Sequence, residues 1–330
     1  MKKFVLTLLY FALIGTALPF LLGFVNSLHP LFDSFANFRV HLLVIVLALT
    51  FMIAFFHEKP YNYLFLITTI LGTFFLYLIN QPFSPKPSTL DKNATFTQMQ
   101  FNLSFKNQEM DKFKTYILEH PVDIITLQEV TDEHRAVLEE LKIDGYNLSV
   151  KKEYPFIERK KGAYPYQVYG AFRGVGGGAI LSKYPINKEK TVIIEGQGFL
   201  WAEIMVKNQP ISVGTIHLFW PFPYSQQEQI KLLRPILENI PKPTLISGDF
   251  NAVSWSDAVN KVSTYSNTKV VDGMRWSIDL KSQLPLFPFM KLSIDQLLLS
   301  DELSVKNIKV EKSLGSDHLP IVSEIILNKK

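Results

Sequence analysis

Apolar residues crowd into the first quarter of the chain in three nearly continuous runs, Phe4 to Val25, Phe38 to Phe56 and Tyr61 to Ile79. Each is close to the roughly 20 residues that carry a helix across a 30 Å hydrocarbon layer, and none contains an acidic side chain. The pattern therefore predicts three transmembrane helices over residues 1–80, with Pro19 and Gly23 as kinks that neighbouring helices can accommodate. A secretory signal is the other reading of the first run, since Lys2 and Lys3 precede it. Its apolar core is too long for that, and no small-x-small cleavage site follows. Lys2, Lys3 and Lys59 in the loop His57–Pro60 favour a cytoplasmic start, which puts everything after Gln81 on the extracytoplasmic side of the cell membrane. Arg39 and Lys86 then also lie outside, so the charge bias is small. Residues 81–95, with Pro82, Pro85 and Pro87, read as an extended linker.

From residue 96 to 330 the pattern changes to short β-type runs separated by helical stretches. Strands are expected at Phe96–Leu103, Asp123–Leu127, Gly178–Ser182, Phe199–Val206, Ile211–His217, Thr244–Ser247, Asp295–Leu299 and Ile321–Ile326. Helices are expected at Gln108–Glu119, Asp132–Lys142 and Gln226–Glu238. Many strands with few helices predict an α/β (α+β) sandwich, sheets packed face to face and covered by helices.

Composition sharpens this division. Hydrophobic residues make up 47% of the 330 and charged residues 19%, below the roughly 25% usual in soluble domains. The first eighty residues hold four basic and two acidic side chains, leaving a nearly balanced remainder of 30 and 28. A net charge of +4 spread over the chain does not demand a nucleic-acid partner. The absence of cysteine excludes disulfides, thiolate metal sites and a cysteine nucleophile.

Several strand candidates end in polar residues suited to binding metal or phosphate. Asn102 closes TFTQMQFN, Glu129 closes DIITLQE, His217 closes ISVGTIH, and Asp249 and Asn251 close TLISGDFN. Asp295 opens DQLLLS, and Asp317 and His318 lie in GSDHLPIV. Singly, each is explained by a turn, a helix cap or a core histidine. Together, Glu129, Asp317 and Asn102 offer hard oxygen ligands suited to Mg²⁺ or Mn²⁺. His217 and His318 add proton-transfer capacity near neutral pH. Carboxylates, amides and imidazoles around a divalent ion are what water attack on a phosphoester requires.

The ordered series QFN, LQEV, GGGAILSKYPI, TIHL, GDFN, SIDQLLLS and GSDHLPI, over roughly residues 95–327, resembles the endonuclease/exonuclease/phosphatase superfamily. The resemblance implies a four-layer α/β sandwich with two central β-sheets and a metal-dependent hydrolase. It implies Glu129 as principal Mg²⁺ ligand, with Asn102 and Asp317. Asp249 would position or deprotonate water, Asn251 would hold the phosphate, and Asp295 would orient His318. His217 would act as acid or hydrogen-bond donor. Members differ over whether Asp249 or His318 is the base, and the motifs leave this open.

Substrate is less constrained. His217 in TIHL points away from exonuclease III-type members, which usually carry tyrosine in that segment. The cluster Lys151, Lys152, Arg159, Lys160, Lys161 is the candidate basic stripe, or else a solvated loop. Membrane tethering raises the effective concentration of lipid phosphoesters. The aromatic segments Phe219–Tyr224, Tyr154–Tyr169 and Leu284–Met290 could form apolar lips or be buried loop anchors. Trp220, Phe222 and Arg275 are candidate substrate contacts. The expectation is a membrane-bound phosphodiesterase acting on a lipid-linked phosphate. An extracytoplasmic endonuclease and an inactive membrane scaffold are the alternatives, and no obligate protein partner is indicated.

Overall fold

The computed structural model describes residues 2–56, 61–79, 95–151, 154–170, 174–194, 197–279 and 291–328. The apolar runs are helical: α1 is Lys2–Leu22, extended by a 3-10 segment over Gly23–Leu28. The others are α2, Pro30–Asn37, α3, Arg39–Phe56, and α4, Tyr61–Ile79. Among the described residues two helices are long and apolar enough to cross a membrane, Lys2–Leu28 with mean hydropathy 2.2 and Arg39–Phe56 with 2.3. The expected three spans are corrected to two on this criterion. The third run does form α4, which opens on the polar sequence Tyr61-Asn62-Tyr63. Helix α2, which the apolar pattern does not predict, buries Asp33, Ala36 and Asn37. The expected Pro-rich linker and the aromatic segment Leu284–Met290 lie outside the described residues.

The remainder begins with β1 (Thr95–Asn102), α5 (Met110–Glu119), β2 (Ile124–Gln128) and α6 (Asp132–Glu139). There follow β3 (Ile143–Lys151), β4 (Tyr154–Lys161), β5 (Tyr166–Tyr169), β6 (Gly178–Ser182), β7 (Ile186–Ile194), β8 (Gln197–Val206) and β9 (Gln209–His217). Then come α7 (Gln226–Leu237), β10 (Thr244–Asp249), α8 (Asp257–Tyr265), β11 (Lys269–Val270), β12 (Ile278–Asp279) and β13 (Lys291–Leu292). Last are β14 (Asp295–Leu299), β15 (Leu303–Val310) and β16 (Ile321–Leu327). Two mixed six-stranded sheets result, ordered β15-β16-β1-β2-β6-β5 and β11-β14-β10-β9-β8-β7.

Alternation along the strands sorts residues between layers. Outward-facing Met99 and Phe101 of β1 pack with Phe113 and Ile117 of α5 and Leu138 of α6. On the other sheet Phe199 and Ile246 pack with Ile230 and Leu233 of α7 and Val262 of α8. Facing each other between the sheets are Phe96, Ile124, Ile180, Ala202, Val213, Leu245 and Leu297. The order is helix, sheet, sheet, helix, as the sequence predicts.

The inner seam changes character along β1. After Phe96 the inward positions are Gln98, Gln100 and Asn102, all buried. Gln98 donates through Nε2 to Thr126 Oγ1 at 2.9 Å and Ser247 Oγ at 3.0 Å, and accepts from Ser323 Oγ at 3.0 Å. Gln100 Nε2 donates to Gln128 Oε1 at 2.9 Å and to Asp295 Oδ1 at 2.8 Å. These bonds join the sheets through polar groups that burial would otherwise penalise. Replacing Gln98 by Leu should therefore destabilise the protein by about 2 kcal/mol, lowering the melting temperature by roughly 4–8 °C. Thermal unfolding of the variant measures this directly, and an unchanged melting point would contradict it.

Candidate active site

Strand register brings the polar strand ends together. Asp249, the last residue of β10, lies directly opposite His217 on β9 and Asp295 on β14. In the facing sheet Asn102 ends β1 opposite Gln128, one residue before Glu129. The loop between β15 and β16 supplies Asp317 and His318. It is tied down by Ser316, whose Oγ donates to the Asn102 carbonyl at 2.8 Å and accepts from His318 N–H at 3.0 Å.

Two site residues sit in the left-handed region, Glu129 at φ +56° and Asn251 at φ +48°. Such conformations are uncommon for non-glycine residues and concentrate at functional sites. Close backbone approaches hold both turns. A Cβ on Gly177 would lie 2.1 Å from the carbonyl oxygen of Val130, beside Glu129. Gly248, at φ +154°, precedes Asp249, and a Cβ there would lie 2.0 Å from the Ile216 oxygen. Gly177 of GGG and Gly248 of GDFN are thus steric requirements of the site walls.

The side chains form one network. Asp295 Oδ2 lies 2.9 Å from His318 Nδ1, and His318 Nε2 lies 3.5 Å from Asp249 Oδ2. Asn102 Nδ2 donates to Asp249 Oδ2 at 3.0 Å and to Glu129 Oε1 at 3.1 Å, linking the two sheets. Glu129 Oε2 accepts from Phe105 N–H at 2.9 Å. His217 Nδ1 is 2.9 Å from the Val175 carbonyl oxygen, so it carries the proton and turns Nε2 inward. There Nε2 meets Asp249 Oδ2 at 3.6 Å and Asn251 Nδ2 at 3.3 Å. Glu129, His217, Asp249, Asn251, Asp317 and His318 all line one cleft of about 520 Å³.

Burial raises the Asp249 carboxyl to about 6, with neighbouring Asp295 adding to the rise and His318 and His217 opposing it. For His318 burial works against the charged form. Asp295 and Asp249 outweigh it and push the imidazole up to about 10, so the ring is protonated at neutral pH. Asp249, Asp295 and His318 place possible ligand atoms within 4.8 Å of one another, the one such group of three or more among the described residues. His318, protonated between two carboxylates, has no free lone pair for a metal. The oxygens of Glu129 and Asp317, on the same cleft, form a hard donor set without thiolate, and the surplus of carboxylates over imidazolium favours a divalent cation. The residues fit such an ion. Asn102 differs from the expected ligand: its amino group faces Glu129 and Asp249, and its Oδ1 accepts from Ser104 N–H at 2.9 Å.

The remaining expected contacts divide. Trp220 lines the cleft. Phe222 is exposed at 48%, its ring 6.1 Å from that of His29. Arg275 is corrected as a substrate contact: it is buried away from the cleft, donating to the carbonyls of Asp272 at 2.9 Å and Val271 at 3.0 Å. Of the Tyr154–Tyr169 segment, Tyr164 is fully buried in the core. In the basic cluster, Lys160 pairs with Asp144 and Lys161 donates to the Tyr166 hydroxyl. Sequence reasoning missed Gln100, which orients Asp295, although the alternation in TQMQFN marks it as inward-facing. It also missed Ser316, inside the GSDH motif.

A family model described as the endonuclease/exonuclease/phosphatase family matches residues 99–318. Among solved structures, the TDP2 protein of D. rerio complexed with single-strand DNA product aligns at TM-score 0.54 and 17% identity, covering 70% of this chain and 99% of that one. An endonuclease/exonuclease/phosphatase from Bacteroides vulgatus gives 0.54 and 17%, covering 71% and 99%. Beta toxin of Staphylococcus aureus, with bound magnesium ions, gives 0.50 and 17%, covering 71% and 99%. No curated protein sequence matches the chain.

The raised Asp249 carboxyl has a consequence for stability. Its folded value near 6 exceeds the usual value near 4, so its contribution is favourable below about pH 4 and lost as pH rises through 6. Asp249→Asn, measured with EDTA present, should melt about 3–6 °C above the wild type at pH 8, with the gap closing toward pH 4. Equal melting points at pH 8 would show that the buried charge is not a burden.

Proposed function

Because the chain belongs to the endonuclease/exonuclease/phosphatase family, we propose that it is a membrane-anchored phosphodiesterase. It uses Mg²⁺ or Mn²⁺ to cleave a phosphoester of a lipid-linked substrate. The observation that carries the hydrolytic reading is the convergence of Glu129, His217, Asp249, Asn251, Asp317 and His318 on one cleft from strand ends of both sheets.

Glu129 and Asp317 would hold the cation. A divalent ion held by them would supply neutralisation of the charge that develops on the phosphoryl oxygens. Asp249 takes the proton of the attacking water, since its Oδ1 is already fixed by the Asn251 N–H at 2.8 Å and its Oδ2 faces the cleft side of His318. His318, fixed by Asp295 through Nδ1, directs Nε2–H at the phosphoryl group and acts as a donor rather than the base. Asn251 Nδ2 donates one hydrogen to the Leu218 carbonyl and would turn the other, held by His217 Nε2, to the same anion once that nitrogen carries a proton. His217 stands ready to donate from Nε2 when protonated there, its ring oriented by the Val175 carbonyl.

Two features favour a bilayer substrate. Helix α1 exposes Phe4, Phe11, Ile14 and Leu21, and α3 exposes Val44, Phe51 and Phe55, an apolar surface suited to lipid. Phe38, where α3 begins, packs with Trp220 and Ile278, which also line the cleft. The cleft mouth thus adjoins the point where α3 would enter the membrane. Helix α2, which follows α1 directly, is fastened to the turn between β10 and α8 and so lies on the same side as the cleft. Lys2 and Lys3 then favour an extracytoplasmic domain. A nuclease reading has less support. Lys106 is the one lysine or arginine among the described residues lining the cleft, where duplex binding calls for a basic stripe.

Full-length protein in lipid nanodiscs with Mg²⁺ should hydrolyse a lipid-linked phosphoester such as sphingomyelin or an isoprenoid pyrophosphate. EDTA should abolish the reaction. Glu129→Ala and His318→Ala should each lower turnover by about 10³-fold with melting curves of folded protein. Efficient cleavage of plasmid DNA with lipids untouched would replace this substrate class by nucleic acid. Near-normal turnover in either variant would remove the assigned chemistry.

A further inference from the structure

The eight residues of α2 are unusually polar on their buried side for a mere connection between membrane helices. Asp33, Ala36 and Asn37 have almost no exposed surface, at 0%, 0% and 3%. Asp33 sits at the start of α8: its Oδ2 accepts from Ser256 Oγ at 2.7 Å and Ala258 N–H at 3.3 Å, and its Oδ1 from Asp257 N–H at 3.0 Å. Asn26 Nδ2 donates to the Trp255 carbonyl at 2.9 Å, and Trp255 Nε1 donates to the Ala36 carbonyl at 3.1 Å. These contacts fasten α2 along the turn that runs from the end of β10 into α8.

Asn37 makes the contact nearest the cleft. Its Nδ2 donates to the Asn251 carbonyl at 2.9 Å, and its Oδ1 accepts from Val253 N–H at 3.0 Å. One amide thus closes a ring over residues 251–253 from outside the sheet. That is where the backbone turns left-handed at Asn251, whose own side chain donates to the Leu218 carbonyl at 2.8 Å and reaches His217. A residue in a disfavoured conformation persists only when its surroundings over-determine it. Here the cleft side supplies the Leu218 and His217 contacts, and α2 supplies the other side.

We infer that the segment between the first two apolar helices is a working part of the active site, with Asn37 as a positioning residue that fixes Asn251 toward the phosphate. This rests on the role proposed above for Asn251. The amide does not touch the cleft. It acts on the backbone whose side chain does, so its loss moves a donor rather than removing one.

The test uses full-length protein in nanodiscs with Mg²⁺ and the soluble probe bis-p-nitrophenyl phosphate, with kcat counted per folded molecule from thermal melts. Asn37→Ala should lower kcat about tenfold or more while KM changes less than about twofold. Asn37→Asp keeps the acceptor for Val253 N–H and loses the donor to Asn251. It should show the same kcat loss and decides the matter if the alanine variant does not fold. Ser34→Ala, which removes bonds from α2 to the Phe222 and Pro30 carbonyls, should leave kcat unchanged. In an Asn251→Ala background, which should itself be strongly impaired, adding Asn37→Ala should cost less than about a further twofold. Unchanged kcat in a folded Asn37 variant overturns the inference, as does a loss that simply multiplies with that of Asn251→Ala. Near-full activity of Asn251→Ala alone instead overturns the site reading, leaving the two failures distinguishable.

Discussion

The hydrogen bonds that cross from one sheet to the other at the end of β1 are the constraint on which the site depends. Asn102 Nδ2 holds Asp249 and Glu129 at once, and Gln100 Nε2 holds Asp295 and Gln128. Sheets that met only through Phe96, Ile124 and Val213 would be free to slide, because apolar contact is non-directional. The amides remove that freedom by fixing distances between particular atoms. The seam is therefore apolar where it has only to cohere and polar where it has to aim. The cost is a row of buried amides whose partners cannot be removed singly without stranding the rest.

Charge imposes the second constraint. Asp249 and Asp295 face each other across adjacent strands, and both are almost fully buried. Two carboxylates so placed repel unless a cation lies between them, and His318 lies there, within 2.9 Å of one and 3.5 Å of the other. The imidazolium thereby neutralises the inner half of the site. Glu129 and Asp317 lie at the outer half, on the wall of the cleft. The division suits an arrangement in which a divalent cation and a phosphate anion meet at the mouth while proton transfer is managed behind them.

The sequence displays this arrangement unevenly. Strands β6 and β14 begin and end at the residues the apolar runs indicate, and β1, β9 and β10 differ by one or two, because buried strands leave continuous apolar runs. The β3–β4 hairpin and β15 escape notice: Leu303–Val310 is a partly exposed edge strand carrying Lys306 and Lys309, and its pattern is that of a loop. Glu129, His217, Asp249 and Asn251 reach the cleft from strand ends, which are visible as the places where an apolar run stops. Arg275 fails for a related reason. Sequence shows that a cation is present but not that three loop and side-chain oxygens already hold its two terminal nitrogens. Helix α2 was illegible because eight polar-faced residues between two apolar runs have no periodicity long enough to read, and their partners lie more than two hundred positions away.

That distance carries an argument about how the parts of the chain belong together. If the first eighty residues only tethered an independent enzyme, their contacts with it could be few and solvent-exposed, as at the surface of a linker. Instead Asp33 caps the start of a catalytic-domain helix with a buried carboxylate, and Asn37 satisfies two backbone groups of a buried turn. Without α2, those N–H and carbonyl groups would face water or go unpaired, and the left-handed turn at Asn251 would lose one of its two supports. In the proposed reading the same contact sets the cleft mouth, with Trp220 and Ile278, against Phe38 at the head of α3. The geometry that completes the turn is then also the geometry that presents the cleft to the bilayer, so correct anchoring and a correctly formed site become one structural condition.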